Sequence, residues 1–269
     1  MNEKIERLKQ LLLKAKPLAI AFSGGVDSTF LLKFAHETLG DQVIAITADA
    51  PNFAPDEIED AKEFCRQENI RHIVLDLGEK AIETIADNPP DRCYHCKKMV
   101  FTHLQRAAAE ASGLERMNLA DGSNADDSFD YRPGARAVSE LGVLSPLAEA
   151  GLTKSEIRAA AKEMGLVVWD KPAFACLASR IPYGETITVA NLASIYTLEK
   201  ALHQRGFRQV RVRHHGDVAR IEVLPEERVK FIDIRLMDEI NQAAHDAGFT
   251  YAALDLGGYK MGNLNLRIT

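Results

Sequence analysis

The stretch Leu18-Ala-Ile-Ala-Phe-Ser-Gly-Gly-Val-Asp-Ser-Thr29 decides the fold, because a short apolar run leads directly into a glycine turn and a helix. The run Leu18–Phe22 has the length and composition of a buried parallel strand. Its two following glycines allow a tight turn in which backbone N–H groups approach a ligand closely. Ser28 and Thr29 then open a helix, whose N-terminus offers unpaired N–H donors and partial positive charge. The stretch predicts a strand–loop–helix unit that binds an anion.

Strand and helix patterns alternate on both sides of this unit. Such alternation predicts βαβ units, and hence an α/β fold with a doubly wound parallel sheet. The further strands are predicted at 43–47, 72–76 and 117–120, and the helices at the N-terminus to about residue 14 and at 30–39, 56–68, 99–111 and 154–164.

The pattern changes after Pro182-Tyr183-Gly184, where we expect a domain boundary that separates residues 1–184 from residues 185–269. The second part has a helical pattern at 188–203, then the alternation of a β-hairpin, then another helix and a last strand. We therefore predict a small α+β module at the C-terminus.

Composition restricts the functional classes. The net charge of -6 and the pI of about 5.8 provide no general basic field for nucleic acid, so such a partner is not expected. No apolar run approaches the roughly 20 residues that a membrane span needs, and the N-terminus lacks the pattern of a signal peptide. We expect a cytoplasmic protein without membrane contact, in which the four cysteines are thiols, metal ligands or catalysts rather than disulfides.

The string SGGVDST at residues 23–29 resembles the signature of the N-type ATP pyrophosphatase (PP-loop) superfamily. The resemblance implies an enzyme that uses ATP with Mg²⁺, cleaves it between the α and β phosphates and adenylates a substrate. It also implies that the phosphates are held by Ser23, Gly24, Gly25, Asp27, Ser28 and Thr29. Asp49 lies at the carboxyl end of the second strand, where a nucleotide contact and a loop cap are both reasonable roles.

Two later segments support the same interpretation. Asp121 and Gly122 begin a loop so rich in turn-forming and acidic residues that either a bound ligand or a solvated acidic surface would explain it. Lys154 resembles the lysine that such families place near the phosphates. Arg158, one helical turn later, could face the same anion, although a salt-bridged surface helix has the same spacing.

The cysteines indicate a second chemistry. Cys93 and Cys96 form a CxxC at the start of a predicted helix, beside two lysines, and this setting favours nucleophilic or metal-binding thiolates. Cys176 could supply a third thiolate, which leaves one iron of a cluster open, or a histidine could complete a zinc site. Cys65 lies on a predicted helix and is most simply a buried residue.

Several longer motifs make the resemblance more specific. SGGVDST, DYRPG, CLASRIPYG, RVRHHGDVARIE and LDLGGY together are similar to the LarE family, ATP-dependent sulfur transferases of nickel-pincer nucleotide cofactor synthesis. The resemblance implies adenylation of the carboxylates of pyridinium-3,5-biscarboxylic acid mononucleotide and their conversion to thiocarboxylates. One version of the family sacrifices the sulfur of a cysteine at position 176. The other holds a [4Fe-4S] cluster on three cysteines, and Cys93, Cys96 and Cys176 assign this chain to it.

The small-molecule substrate is anionic and needs cationic partners. Arg211 and Arg213 lie two apart on a strand and hence on one face, and with Arg220 on the partner strand they form a candidate phosphate clamp. Arg180 could join them, whereas an arginine-rich edge strand that resists aggregation is the simpler alternative.

The rival interpretations are a tRNA thiolase of the same superfamily, a ligase that uses ammonia, and a nucleotide-binding regulator. The family likeness further implies a homo-oligomer such as a hexamer, with residues 185–269 serving substrate binding or oligomerisation.

Overall fold

The computed structural model describes residues 2–115, 117–129, 133–172 and 175–260. Most of the predicted DYRPG motif, residues 130–132, therefore lies outside the described residues. Two compact units are present, one formed by residues up to 84 together with 91–174 and the other by residues 85–90 together with those from 175 onward. The start of the second unit at residue 175 differs from the predicted boundary after residue 184, and the predicted domain assignment remains a prediction.

The first unit contains a four-stranded sheet in the order β3-β2-β1-β4, with every neighbouring pair parallel. This arrangement confirms the predicted α/β parallel sheet. The strands are β1 (Leu18–Ala21), β2 (Val43–Asp49), β3 (His72–Asp76) and β4 (Asn118–Ala120). The helices of this unit are α1 (Asn2–Ala15), α2 (Val26–Leu39), α3 (Pro55–Gln67), α4 (Lys80–Glu83), α5 (Arg92–Ser112), α6 (Pro133–Glu140), α7 (Pro146–Glu149) and α8 (Lys154–Glu163).

Both faces of this sheet are covered, as its near-continuous apolar strands require. Leu18 and Ile20 of β1 pack in a cluster with apolar residues of α1, α2 and α8. Ala19, between them, packs in a separate cluster with residues of α5 such as Phe101 and Leu104. Since successive side chains of a strand point to opposite faces, the two clusters are the two helical layers of a doubly wound fold.

The second unit is an α+β module around the three-stranded sheet β5-β6-β7. Its strands are β5 (Val210–His215), β6 (Val218–Val223) and β7 (Tyr251–Leu254), and its helices are α9 (Val189–Gln204) and α10 (Ile234–Asp246). β5 and β6 form the predicted antiparallel hairpin, whereas β7 pairs with β6 in parallel. None of the described helices has the length and hydropathy of a membrane span.

The short segment 85–90 belongs to this second unit although it precedes α5 in the chain. Its central residue, Asn88, is fully buried and has a positive φ of 49°. The Asn88 side-chain amide donates to the carbonyl oxygens of Ile181 at 3.2 Å and Pro182 at 2.6 Å, and Gly184 N donates to the Asn88 carbonyl at 3.0 Å. Asn88 therefore anchors the segment that follows the Cys176 turn.

Asn88→Ala is expected to lower the free energy of unfolding by about 2–4 kcal/mol, because two buried carbonyls lose a donor and alanine is strained at positive φ. Asn88→Gly should recover the part that is due to φ alone. Asn69→Ala is the matched control, since Asn69 is exposed and also has a positive φ, of 53°. Urea denaturation measures all three, and equal losses for Asn88→Ala and Asn69→Ala would show that the buried amide contributes nothing.

Candidate active site

The glycine loop connects the end of β1 to the start of α2 and is already ordered by its own side chains. Ser28 Oγ and Thr29 Oγ1 donate to the Gly25 carbonyl oxygen at 3.1 and 2.9 Å. Ser23 Oγ lies 3.1 Å from Ser28 Oγ. Gly24 has a φ of +69°, and its Cα packs against α3, where an added Cβ would lie 3.3 Å from the Glu57 carbonyl oxygen. The loop therefore presents the α2 N-terminus at the carboxyl edge of the sheet, where an anion binds favourably.

A lysine lies at this helix N-terminus. Lys154 Nζ is 2.6 Å from Asp27 Oδ2, to which Asn124 Nδ2 also donates at 3.2 Å. Asp27 Oδ1 is buried and has no hydrogen-bond partner in the structure. Lys154 is held at the first turn of α8 by the capping box of Thr153 and by its own N–H, which donates to Asp126 Oδ2 at 2.8 Å. The structure thus brings the predicted lysine and the predicted loop together.

Arg158 is engaged elsewhere. Its guanidinium donates to the carbonyl oxygens of Trp169 and Lys171, both at 2.7 Å. These bonds fix the chain after α8, so the Arg158 guanidinium is used for local structure.

The loop after β4 packs directly on the start of α2. A Cβ added to Gly122 would lie 2.9 Å from Ser28 N and 3.1 Å from Ser28 Cα, so only glycine fits without displacement. Asp121, 5% exposed, accepts hydrogen bonds from Ser123 N, Ser123 Oγ and Ser145 Oγ at 3.1, 2.6 and 2.8 Å. Asp121 therefore shapes the turn that lets Gly122 approach the glycine loop.

Gly122→Ala is expected to lower the free energy of unfolding by about 1–3 kcal/mol, since the new methyl meets backbone atoms that cannot move independently. The same variant should bind ATP more weakly, because the first turn of α2 must shift. Gly25→Ala is the steric control, as its Cβ would approach nothing closer than 3.5 Å and should cost far less stability. Thermal unfolding with and without ATP measures both effects, and an unchanged Gly122→Ala midpoint would contradict the close packing.

The cysteines fall into two environments. Cys65 is 1% exposed, and burial raises the pKa of its thiol to about 12, so it is the inert residue that its helix position predicts. Cys93 and Cys96 lie three residues apart at the start of α5, on one helix face, and are half-buried. Cys176, also half-buried, precedes the 3-10 turn Leu177–Arg180.

All four cysteines are described, and none forms a disulfide. Within the described ranges, no group of three or more histidine, cysteine or acidic side chains is gathered closely enough to hold a metal ion. The two histidines nearest the CxxC have local contacts, His95 with Asp91 at 3.2 Å and His103 Nδ1 with the Met99 carbonyl at 2.9 Å. The thiolate set remains a prediction that depends on donor chemistry.

The predicted arginine clamp lies on one face of the β5–β6 hairpin. Arg213 pairs across the hairpin with Arg220, and Arg211 pairs with Glu222. Glu222 is fully buried and accepts from Arg213 Nη2 at 2.7 Å and from Arg220 Nη1 at 3.0 Å, while Arg220 also bonds Asp255. Arg213 Nε is buried and has no hydrogen-bond partner among the described residues.

The charge of this face is retained at neutral pH. Burial, and next the neighbouring charge of Arg180, lower the pKa of Arg211 to about 10, which still leaves it cationic. Arg211 also lies 5.3 Å from the ring centre of Tyr259. Since Arg211 and Arg213 are 4% and 5% exposed, a solvated edge strand does not describe them. Their charges are buried beside Glu222, which lies opposite Arg211 and forms an ion pair with Arg213.

Comparison with known proteins decides the family. The Asparagine synthase family model matches residues 7–109, which contain the glycine loop. A pyridinium-3,5-bisthiocarboxylic acid mononucleotide synthase of Lactiplantibacillus plantarum is 40% identical over 94% of this chain and 90% of its own length. The chain belongs to the LarE family. It is therefore an ATP-dependent sulfurtransferase of the PP-loop superfamily.

Two other relatives differ in how much of the chain they match. An uncharacterized protein of Synechocystis is 41% identical over all of this chain and 99% of its own length. The tRNA-specific 2-thiouridylase MnmA of Rickettsia felis is 31% identical over 59% of this chain and 53% of its own. The likeness to the thiouridylase thus covers a smaller part of this LarE-family chain.

Sequence reasoning missed three polar groups of this LarE-family protein. Glu199, on α9, is buried in contact with Arg180. Asn52, in the loop after β2 and three positions beyond Asp49, is 1% exposed, and its Nδ2 has no hydrogen-bond partner in the structure. A polar residue just after a strand's carboxyl end was the available signal for Asn52. Asp49 itself ends β2, level with Asp76 of β3.

The third group supports the entry to the glycine loop. Thr47 Oγ1 donates to the Phe22 carbonyl oxygen at 2.7 Å and lies 2.7 Å from His72 Nε2. Burial, with a smaller contribution from Lys62, lowers the pKa of His72 to about 4, so its ring is neutral near pH 7. Because the Thr47 hydroxyl donates to Phe22, His72 Nε2–H donates to Thr47. The hydrogen bonds from His72 to Thr47 and from Thr47 to Phe22 hold the residue immediately before Ser23.

Proposed function

We propose that this enzyme adenylates the carboxylates of pyridinium-3,5-biscarboxylic acid mononucleotide and converts them to thiocarboxylates. The observation that supports this substrate most directly is the 40% identity to a synthase of the bisthiocarboxylic acid mononucleotide, which extends over 94% of the chain. The likeness therefore extends over nearly the whole chain and is not confined to the nucleotide loop.

The nucleotide-binding part of the proposal uses the first unit. The backbone N–H groups at Gly24, Gly25 and the α2 N-terminus donate to the phosphates. The Ser23 hydroxyl joins them, as do the Ser28 and Thr29 hydroxyls once these rotate away from the Gly25 carbonyl. Lys154 Nζ moves from Asp27 to the phosphates when ATP binds with Mg²⁺, and stabilises the charge that develops on pyrophosphate. Asp121 and Gly122 keep the loop in position, and Asp49 contacts the nucleotide from the end of β2.

The substrate part uses the second unit. Arg211, Arg213 and Arg220 bind the phosphate and the carboxylate that is not reacting, since the planar guanidinium can donate two parallel hydrogen bonds to either group. Glu222 and Asp255 hold the arginine side chains apart and in orientation. Arg180, which also belonged to the predicted clamp, has most of its donors directed at protein acceptors, so it contributes positive charge rather than direct contact.

For sulfur delivery we propose the three thiolates of Cys93, Cys96 and Cys176. This donor set fits a [4Fe-4S] cluster, because three thiolates leave one iron open to another ligand. When bound, such a cluster supplies an additional sulfide for transfer. The surrounding protein then positions the three cysteines, orients the acyl-adenylate and excludes water from it.

Iron and sulfide measured on anaerobically purified protein test this donor set. About four of each per chain are expected, with loss of both in Cys93→Ala and retention in Cys65→Ala. Stoichiometric zinc, or no metal together with conversion of Cys176 to dehydroalanine during turnover, would overturn the cluster assignment. Adding the pyridinium mononucleotide and bulk tRNA in parallel tests the substrate, because sulfur transfer to tRNA alone would identify a thiolase instead.

The remaining expectations belong to this proposal as well. We propose a homo-oligomer such as a hexamer, with the C-terminal module contributing to assembly or substrate binding, and a cytoplasmic location. Sedimentation equilibrium of the full chain tests the assembly directly, and a monomer at micromolar concentration would contradict it.

A further inference from the structure

The turn that carries Cys176 is built around one buried guanidinium. Arg180 is 1% exposed, and its Nη1 donates to the carbonyl oxygens of Ala175 and Cys176 at 2.5 and 3.1 Å. The same nitrogen donates to Ser179 Oγ at 3.0 Å. These acceptors extend from one side of Cys176 to the other. Arg180 therefore fixes the backbone direction from which the Cys176 side chain projects.

A carboxylate fixes the guanidinium in turn. Glu199 Oε1 accepts from Arg180 Nε at 2.9 Å, and Glu199 Oε2 accepts from Nη2 at 2.8 Å, which is the two-bond geometry of a carboxylate and a guanidinium. Glu199 Oε1 also accepts from Val212 N of β5 at 2.9 Å. The 5% exposed Glu199 thereby joins α9, β5 and the Cys176 turn.

Stability alone gives little reason for such a pair. Burying two charges costs desolvation energy that their attraction only roughly offsets, and apolar replacements of similar volume are often as stable or more so. The pair instead fixes an orientation. Once both carboxylate oxygens accept from the planar guanidinium, the Arg180 side chain has little rotational freedom left. Its geometry is thus better suited to orientation than to net stabilisation.

The same turn contacts the arginine face that we propose for the substrate. Arg213 Nη1 donates to the Ser179 carbonyl oxygen at 2.9 Å, while Arg213 Nη2 is held by Glu222. The position of the turn is therefore set from two sides, by Arg180 and by Arg213. A shift of the turn would move Cys176 relative to the arginines.

We propose that the buried Glu199–Arg180 pair is a positioning device that orients Cys176 for sulfur delivery. Arg180 and Glu199 are then positioning residues that touch neither substrate nor ATP. The inference rests on the proposed function in so far as Cys176 carries or holds the transferred sulfur. The geometry of the turn is independent of that assumption and can be tested separately.

The test separates orientation from stability. In Arg180→Met/Glu199→Leu both charges are removed together, so the thermal midpoint should fall only modestly, through the buried Val212 N–H that loses its acceptor. The Cys176 turn loses its donors, so alkylation of Cys176 by iodoacetamide in metal-free protein should become about tenfold faster through easier local opening. Sulfur transfer should fall roughly 100-fold through misplacement of Cys176, much more than ATP–pyrophosphate exchange, which senses only the lost positive charge of Arg180.

Two further variants make each outcome decisive. Glu227→Gln is the matched control, because Glu227 is 7% exposed in the same unit and accepts from Arg208 N and Lys230 Nζ, away from the turn. It should leave alkylation of Cys176 unchanged. Arg180→Lys keeps a cation beside Glu199 but cannot reach both the carboxylate and the carbonyls, so it should reproduce the faster alkylation if the double variant does not fold.

The inference would be overturned if the folded double variant, or Arg180→Lys, kept the parental rate of Cys176 alkylation. Parental hydrogen-exchange rates at residues 175–181 in the same variants would overturn it as well. Failure of the proposed function has a different signature. The parent protein itself would then transfer no sulfur to the pyridinium mononucleotide, whereas the difference in alkylation between parent and variants would persist.

Discussion

Cys176→Ala is expected to abolish thiocarboxylate formation, with a loss of roughly 1,000-fold or more, because it removes the residue that we propose to carry or hold the transferred sulfur. Release of pyrophosphate from ATP in the presence of the carboxylate substrate should continue. The residues proposed for that step lie in the other unit, at residues 23–29 and 154. Mass spectrometry of the product and a pyrophosphate assay on the same sample measure the two steps separately.

Cys65→Ala provides the control for this variant. Cys65 is 1% exposed, and burial raises the pKa of its thiol to about 12, so the thiolate is scarce at neutral pH. Its replacement should leave sulfur transfer intact and cost about 1 kcal/mol of stability through the small cavity. Full thiocarboxylate formation by Cys176→Ala would contradict the proposed role, and a product made with ammonia instead would indicate a ligase.

Lys154→Met is expected to slow adenylation by about 100-fold to 1,000-fold, because it removes a cation that we propose to stabilise the departing pyrophosphate. The variant also leaves Asp27 without its ion pair at 2.6 Å, and that carboxylate, close to the α2 N-terminus, then opposes the phosphates. ATP–pyrophosphate exchange measures the step without any contribution from sulfur transfer. The rate should recover in part in Lys154→Arg, which restores the charge in a different shape.

Lys162→Met on the same helix is the matched control. Lys162 is exposed, and its Nζ lies 4.3 Å from the ring centre of Trp169 rather than near the glycine loop. It should exchange pyrophosphate at the parental rate. If Lys154→Met also did so while remaining folded, Lys154 would be a structural partner of Asp27 and nothing more.

The local patterns of the sequence were sufficient for the parallel sheet and for the position of the loop. The packing of Leu18 and Ile20 in one apolar cluster and of Ala19 in the other follows from the geometry of a single strand, and the turn after Phe22 follows from two adjacent glycines. The hairpin that carries Arg211 and Arg213 was predicted for the same reason, since its period of two is a property of neighbouring residues.

Only the tertiary structure decided which partner each polar side chain found. Arg180 was predicted to join the arginines of the hairpin, yet Glu199 and the carbonyl oxygens around Cys176 take up most of its donors. Asn88 belongs to the second unit although it precedes α5 in the chain. Gly122 packs against the backbone of Ser28, which is also far from it in the chain.

The glycine loop, the strands and the cysteine spacing were therefore determined by the sequence alone, because each depends on backbone geometry over a few residues. The contacts of Arg180 with Glu199 and with the carbonyl oxygens around Cys176 required the folded chain. A guanidinium binds whichever carboxylate and carbonyl groups the fold brings within about 3 Å, and a linear pattern does not contain that distance.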